Sequence, residues 1–187
     1  MGFRRRRGGL GIYVIARLGG RLADEIHEIQ RRFDPKLANR NPPHLTLAGS
    51  SGMGPIDPAT DAVELEARLA PIAGSTPPLI LEPTPPQRFM QTEIIVLPLD
   101  PHGPLRTLHE RIKSSGLTFE EPRFAFTPHV TLNFYRTLDA EQRRDLLAWR
   151  ATEPVLVDAI ECSLSREPQS AIRLLTLPLL GSERGGE

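Results

Sequence analysis

The sequence is poor in cysteine and in lysine. Cys162 is the only cysteine in 187 residues, which excludes an internal disulfide bond and a metal site built from several cysteines. It lies in an apolar, strand-like segment, so we expect a small buried hydrophobic residue there. Lysine occurs only as Lys36 and Lys113, so arginine supplies the other 21 of the 23 basic residues. The planar guanidinium of arginine suits the recognition of phosphate groups.

Net charge and long apolar runs are also missing. The 23 basic residues balance 23 acidic ones, so a strongly basic surface for long nucleic acids is not expected. A small anionic substrate or a nucleic-acid end fits this composition better. No apolar run could span a membrane, and nothing resembles a signal peptide. We expect a cytoplasmic monomer with one domain at 10–180, a disordered basic tail at 1–9 and a flexible tail at 181–187.

One pentapeptide pattern, Pro-His-apolar-Thr-Leu, occurs twice. It occupies residues 43–47 and again residues 128–132. In a β-strand, residues two apart point to the same face. His44 and Thr46 therefore share one face of the first copy, and His129 and Thr131 share one face of the second. Each copy sets an imidazole beside a hydroxyl and turns its apolar residues towards a core.

The order of predicted elements is also duplicated. Apolar periodicity and turn residues predict an α+β fold. The predicted elements are strand 11–18, helix 21–33, the first pentad strand, helix 58–69 capped by Asp57, strand 79–82, strand 93–99, helix 104–114, the second pentad strand, helix 140–149 capped by Asp139, and strands 155–164 and 171–180. Two lobes related by a pseudo-two-fold axis, with antiparallel sheets, would bring the pentads face to face across a central cleft.

Two imidazoles across a cleft suit acid–base chemistry at phosphorus. A neutral imidazole can take a proton from an attacking hydroxyl, and a charged one can give a proton to the leaving oxygen, because the ordinary histidine pKa lies near working pH. The hydroxyls of Thr46 and Thr131 would bind the non-bridging oxygens, where charge accumulates. The pentads carry no carboxylate for a metal, and no serine-nucleophile motif or glycine-rich phosphate loop is present. We therefore expect no metal and no cofactor.

The two pentads make the sequence resemble the 2H phosphoesterase superfamily, and within it the RNA 2′,3′-cyclic phosphodiesterase (2′-5′ RNA ligase-like) proteins. The resemblance implies a bilobal fold with the active site in its cleft. It also implies metal-independent opening of 2′,3′-cyclic phosphate ends of RNA or nucleotides to 2′-phosphates, and in some members the reverse ligation. His129 would be the base and His44 the acid, although the near symmetry allows the opposite assignment. Beyond the second motif, Asn133 and Tyr135 share the histidine face and could contact substrate; Tyr135 could stack a base or pack in the core.

Other functions remain open from the sequence alone. Another phosphodiester, such as an ADP-ribose cyclic phosphate or a 2′-5′ oligonucleotide, would suit the same four side chains. A module that binds RNA ends or nucleotides without turnover would carry the same cleft. Both histidines could also be structural residues of a core. His27, His102 and His109 are not repeated or paired with threonine, so we expect them to be structural or exposed.

Overall fold

The computed structural model describes residues 10–40, 42–90, 92–135, 137–166 and 171–182. The predicted basic tail lies outside this part of the chain, as do residues 183–187 of the predicted C-terminal tail. The backbone amide of Gly181 donates a hydrogen bond to the carbonyl of Thr76 at 2.9 Å. The chain is therefore still held against the fold at residue 181, where the sequence predicts a flexible tail.

The described part of the chain contains eight strands and five helices. Its elements are β1 (Leu10–Gly19), α1 (Gly20–Phe33), α2 (Pro35–Ala38), β2 (His44–Ala48), α3 (Ala62–Gly74), β3 (Leu79–Leu81), β4 (Gln87–Arg88), β5 (Ile95–Pro98), α4 (Gly103–Lys113), β6 (His129–Asn133), α5 (Ala140–Ala148), β7 (Val155–Arg166) and β8 (Ile172–Pro178). Both pentads form strands, as predicted. No helix among the described residues is long and apolar enough to cross a membrane.

The strands form one eight-stranded sheet whose strand pairs are all antiparallel. Its order is β3-β7-β1-β2-β6-β5-β4, and β8 pairs with β7. The predicted two halves meet where the motif strands β2 and β6 pair, with Leu45 opposite Val130. This α+β architecture confirms the predicted fold class. It joins the two halves through neighbouring strands, so the motif strands lie at the centre of the molecule.

The two halves repeat one local arrangement around their motif strands. Strand β1 pairs with β2 in the first half, and β5 pairs with β6 in the second. In each half, a helix side chain also bonds to the motif strand of the other half. Gln30 of α1 donates from Nε2 to the carbonyl of Thr131 at 2.7 Å, and His109 of α4 bonds through Nδ1 to the carbonyl of Leu47 at 3.0 Å. This exchange of helices is what a pseudo-two-fold relation predicts.

The apolar face of the motif strands lies in the core. The core is one cluster to which all the strands except β4 and helices α1, α3, α4 and α5 contribute. Leu45, Leu47, Val130 and Leu132 are all fully buried in it. Alternation along a strand then places the histidines and threonines on the other face, where all four are half-buried.

The helix after the first motif begins later than predicted. The sequence favours a start at Pro58 capped by Asp57, whereas α3 begins at Ala62 and is capped by Asp61, whose carboxylate accepts from the amide of Glu64 at 2.8 Å. Asp57 instead accepts from the amide of Ala59 at 2.9 Å in the preceding turn. Either aspartate could cap a helix according to the residues that follow it. The helix begins at the position from which its apolar stripe packs against the core, which selects Asp61 as the cap.

The same helix ends later than predicted, at Gly74 instead of Leu69, and Pro71 lies inside it. The bounds of the other predicted helices agree closely with the sequence. Asp139 caps α5, and its side chain forms a reciprocal capping box with Gln142. Helices α1 and α4 lie within one residue of their predicted bounds. The short helix α2 falls in a segment that the sequence predicts as loop. Four residues give almost no periodic signal, so this helix could not be found from apolar spacing.

Candidate active site

The pairing of β2 with β6 brings the four predicted side chains together. With Leu45 opposite Val130, an antiparallel register places His44 beside Thr131 and Thr46 beside His129 on the same face. Each imidazole thus neighbours the hydroxyl of the other motif. The two histidines lie on a diagonal of this arrangement, where neighbouring Cα atoms are about 7–8 Å apart.

Both imidazoles are held in the same way. Nδ1 of His44 bonds to the carbonyl of Pro42 at 2.9 Å, and Nδ1 of His129 bonds to the carbonyl of Thr127 at 2.8 Å. A carbonyl can only accept, so each Nδ1 carries the hydrogen and donates it. Each neutral ring therefore keeps an unprotonated Nε2 for exchange with a ligand. The proline of each pentad stands between the acceptor and the histidine, and its fixed φ angle accounts for the repeated geometry.

The neutral form of both rings is favoured. Burial lowers the pKa of His44 below its ordinary value, and the nearby charges of Arg17 and His129 lower it further. Burial likewise lowers the pKa of His129, against the opposing effect of its bond to Thr127. A bound phosphate anion would reverse this effect, because a nearby negative charge favours the imidazolium form.

An ion pair lies next to His44 in the sheet. Arg17 of β1 pairs directly with His44, and its Nε and Nη2 donate to the Glu161 carboxylate at 2.6 and 2.9 Å. Ser163 donates to the same carboxylate at 2.6 Å. The Glu161 side chain is only 3% exposed, and its bonds to Arg17 and Ser163 keep its pKa below the ordinary value despite the opposing effect of burial. His44 therefore faces a fixed pair of opposite charges.

The surroundings of His129 are apolar. The residue paired with it on β5 is Pro98, which is the counterpart of Arg17 in the first half. The ring of Phe89 lies against His129, with ring centroids 4.5 Å apart. Each histidine is thus anchored to a backbone carbonyl in the same way, but the two rings have different neighbours.

A cavity of about 270 Å³ opens beside the motif strands. Such a volume lies at the low end for ligand pockets and suits a compact ligand. His44, Thr46 and Thr131 line it, whereas His129, which packs against Phe89, is not among the lining residues. The other lining residues are Tyr13, Ile15, Gln30, Leu37, Arg40, Ser50, Phe134, Tyr135, Ser165 and Ala171.

Gln30 is a cavity residue that the sequence analysis missed. Its side chain is 2% exposed, and while Nε2 bonds to Thr131, Oε1 is buried without a hydrogen-bond partner. A buried unpaired acceptor is costly, so this oxygen could accept a donor from a ligand. The signal was present in α1, where Gln30 continues the apolar spacing of Leu22 and Ile26. A polar residue in an apolar stripe should be considered for a functional role.

Asn133 does not contact the cavity, contrary to expectation. It is 1% exposed, and its amide donates to the Thr137 hydroxyl at 2.8 Å and to the Asp34 carboxylate at 3.3 Å. The amide therefore fixes the end of β6, and a contact between Asn133 and substrate stays a prediction. Tyr135 does line the cavity. Lys36 lies over its ring, with Nζ 4.1 Å from the centroid, which leaves less room for a stacked base.

The remaining histidines and the cysteine lie outside the cavity lining. His109 is fully buried and stacks on Phe126, His102 is exposed just before α4, and His27 is half-buried on α1. Cys162 is 1% exposed, and burial raises its pKa to about 12. Among the described residues, no group of three or more histidine, cysteine or acidic side chains could hold a metal ion.

Proteins of other organisms are similar to this chain in sequence. The family model of the 2′-5′ RNA ligase superfamily matches residues 19–167. A Geobacillus kaustophilus protein, provisionally named a phosphoesterase, is 33% identical over 114 residues, which are 60% of this chain and 62% of that protein. A Bacillus licheniformis protein with the same provisional name is 30% identical over 129 residues, 68% of this chain and 71% of that protein. The first of these alignments spans about three-fifths of the relative's length.

Solved structures share the fold. E. coli LigT complexed with 3′-AMP superposes with a TM-score of 0.54 at 16% identity, covering 91% of this chain and 98% of LigT. LigT complexed with NADP⁺ gives a TM-score of 0.54 at 18% identity over the same shares. At this identity the likeness concerns the fold alone. The matched family model spans most of the chain, including both motifs, and the protein belongs to the 2′-5′ RNA ligase (2H phosphoesterase) superfamily.

Proposed function

We propose that this protein is a metal-independent phosphodiesterase that opens 2′,3′-cyclic phosphate ends of RNA or nucleotides to 2′-phosphates. The observation that carries the proposal is the crossed set of two imidazoles and two hydroxyls on one face of β2 and β6, with both Nδ1 atoms tied to backbone carbonyls. The superfamily membership supports a phosphoesterase. LigT, which has the same fold, forms complexes with 3′-AMP, NADP⁺ and ATP, so nucleotides are plausible ligands here.

The reaction would use the free Nε2 atoms of the two rings. The neutral imidazole of His129 takes a proton from water, and the water oxygen forms a bond to phosphorus. The bond from phosphorus to the 3′ oxygen breaks, and the imidazolium of His44 gives its Nε2 proton to that oxygen. The product carries a 2′-phosphate and a free 3′-hydroxyl. The same sequence of steps, with a 5′-hydroxyl in place of water as the attacking group, would join RNA ends through a 2′-5′ bond and release the 3′-hydroxyl.

The threonines would stabilise the charge that develops in this step. Thr46 and Thr131 flank the imidazoles, so each hydroxyl can donate to one non-bridging oxygen. The substrate anion would raise the pKa of the acid histidine once it is bound. The charges near His44 oppose one another, since Arg17 and His129 lower its pKa and Glu161 raises it. The roles of His44 as acid and His129 as base are therefore kept as the superfamily resemblance implies them.

The test is hydrolysis of adenosine 2′,3′-cyclic phosphate in the presence of EDTA, with the 2′ and 3′ products separated. We expect 2′-AMP as the only product. His44→Ala and His129→Ala should each lower kcat about 10²- to 10⁴-fold, the usual share of acid–base catalysis. His102→Ala removes an exposed histidine and is the matched control.

Three outcomes would overturn the proposal or change it. Loss of activity in EDTA would exclude the metal-free mechanism. Hydrolysis of an ADP-ribose cyclic phosphate or a 2′-5′ oligonucleotide, with no turnover of the 2′,3′-cyclic nucleotide, would assign another phosphodiester. Tight nucleotide binding without any product would indicate a binding module.

A further inference from the structure

We propose that Lys36, Arg40 and Tyr135 form a second anion site at the rim of the cavity, here called the rim cluster. It would bind the 5′-phosphoryl group of the substrate. The preferred substrate would then be a nucleotide or RNA end that carries a 5′-phosphate or phosphodiester as well as the cyclic phosphate. This inference rests on the proposed function and specifies its substrate class.

The rim cluster gathers two cations around one phenol ring. Arg40 donates from Nη1 to the Tyr135 hydroxyl at 2.8 Å, and its guanidinium carbon lies 5.6 Å from the ring centroid. The ammonium of Lys36 lies 4.1 Å from the same centroid. Arg40 and Tyr135 line the same cavity as His44, so the cluster and the reacting end belong to one site. Among the described residues, no carboxylate forms an ion pair with Lys36.

One buried carboxylate holds the parts of the cluster together. Asp34 is fully buried, and its Oδ1 accepts from the amide of Leu37 at 3.1 Å, which caps the helix that carries Lys36. Its Oδ2 accepts from the amides of Phe134 and Tyr135 at 2.7 and 2.8 Å. The backbone on both sides of the cluster is therefore fixed before any ligand arrives. A preorganised site loses less conformational entropy when it binds.

The rim cluster presents two cationic donors that suit an anion. A phosphate between Lys36 and Arg40 would accept charge-assisted hydrogen bonds from both. The ammonium already occupies one face of Tyr135, so this ring serves to position cations, in place of the base stacking considered from the sequence.

The chemistry of nucleotides supplies a matching group. One ribose separates the 2′,3′-cyclic phosphate from the 5′ oxygen, so a 5′-phosphoryl group lies one sugar away from the reacting phosphorus. In a mononucleotide this group is a terminal 5′-phosphate, and in an RNA chain it is the last phosphodiester. With the cyclic phosphate between His44 and His129, the neighbouring phosphoryl group would extend along the cavity to the rim cluster.

The experiment compares substrates that differ only in this group. Adenosine 2′,3′-cyclic phosphate, its 5′-phosphorylated form and the dinucleotide ApA ending in a 2′,3′-cyclic phosphate are assayed side by side. We expect kcat/KM to be about tenfold higher for the two substrates with the 5′ group, as for one charge-assisted contact. The two forms separate a terminal 5′-phosphate from a chain phosphodiester as the natural ligand.

The variants Lys36→Gln and Arg40→Gln should each reduce this preference about fivefold or more. Lys113→Gln is the charge-matched control, because Lys113 is the other lysine and is exposed at the end of α4. It should leave the preference unchanged. Lys36 is exposed, so its substitution should not affect folding, which circular dichroism would check.

A binding measurement keeps the two proposals separable. By calorimetry, adenosine 2′,5′-bisphosphate should bind about tenfold more tightly than 2′-AMP, and Lys36→Gln should abolish the difference. Equal affinities, or equal kcat/KM values for all three substrates, would overturn the rim cluster as a phosphate site. Failure to hydrolyse any of them would contradict the proposed function, while the calorimetric comparison would still decide the inference.

Discussion

The two motif strands present the same side chains in different surroundings. His44 and His129 are each tied through Nδ1 to the carbonyl two residues earlier, and each neighbours the other motif's threonine. The residue paired with His44 is Arg17, held by Glu161, whereas the residue paired with His129 is Pro98. The two halves therefore hold their imidazoles in the same way but surround them with different neighbours. These neighbours set the pKa of each ring. Two initially equivalent groups can take the roles of acid and base in this way.

The largest expected effect concerns the motif threonines, Thr46 and Thr131, which the two halves share. Thr46→Val and Thr131→Val should each lower kcat about 10²- to 10³-fold, because each removes one donor to the charged oxygens while keeping the side chain's size. The losses should be similar, as expected for equivalent positions. Steady-state kinetics on the cyclic nucleotide measures both, with Thr107→Val on the exposed face of α4 as control. A loss confined to one variant would break the equivalence.

The next effect concerns the Arg17–Glu161 ion pair, which lies next to His44 in the first half. Glu161→Gln leaves Arg17 without its bidentate partner, and we expect the free energy of unfolding to fall by about 2–4 kcal/mol, less than for a fully buried pair because Arg17 is 34% exposed. The charge of Glu161 raises the pKa of His44, so its removal should lower that pKa further. Urea unfolding and NMR titration measure the two effects.

Glu93→Gln is the control for this variant, because Glu93 pairs with Arg143 at the surface. It should cost less than about 1 kcal/mol. A titration of His44 that moves upward in Glu161→Gln would contradict the assigned influence of the ion pair.

Stability should fall with acidification in both halves. His44, His109 and His129 all have a pKa below the ordinary 6.5 in the fold, so the unfolded chain binds more protons below that pH. Their contribution is fully present above pH 6.5 and is lost as the pH falls towards their folded values. Each group contributes a slope of at most about 1.4 kcal/mol per pH unit. Urea unfolding between pH 7.5 and 5.5 measures the total slope, and His44→Gln or His129→Gln should each reduce it.

The smallest effect concerns the ring of Phe89, which lies against His129 in the second half. Phe89→Leu removes the ring beside His129 and should reduce the free energy of unfolding by about 1 kcal/mol, since aromatic pairs contribute about 0.5–1.5 kcal/mol. Less burial should also raise the pKa of His129 and leave that of His44 unchanged. NMR titration of both rings checks this, and an equal shift of both would show that the two environments are not independent.

The sequence predicted what depends on local spacing. Alternation along the two pentads identified the strands, their common face and the four clustered side chains, and the capping residue of α5 was read from its neighbours. The catalytic roles of these side chains remain predictions. Gln30 bonds to a residue 101 positions away, and Arg17 pairs with Glu161 across 144 positions. Such contacts are set by the packing of helices on the sheet and by strand register, which local patterns do not encode.

The anchors of the two imidazoles have a consequence for how this site can vary. Many enzymes orient such a ring with an acidic side chain, which one codon change can delete. Here the acceptors are peptide carbonyls at positions 42 and 127, and every amino acid supplies that oxygen. Substitution at either position leaves the acceptor in place, so the ring tautomer should tolerate genetic drift there. The prolines at 43 and 128 become the sensitive points, because they hold that oxygen in place.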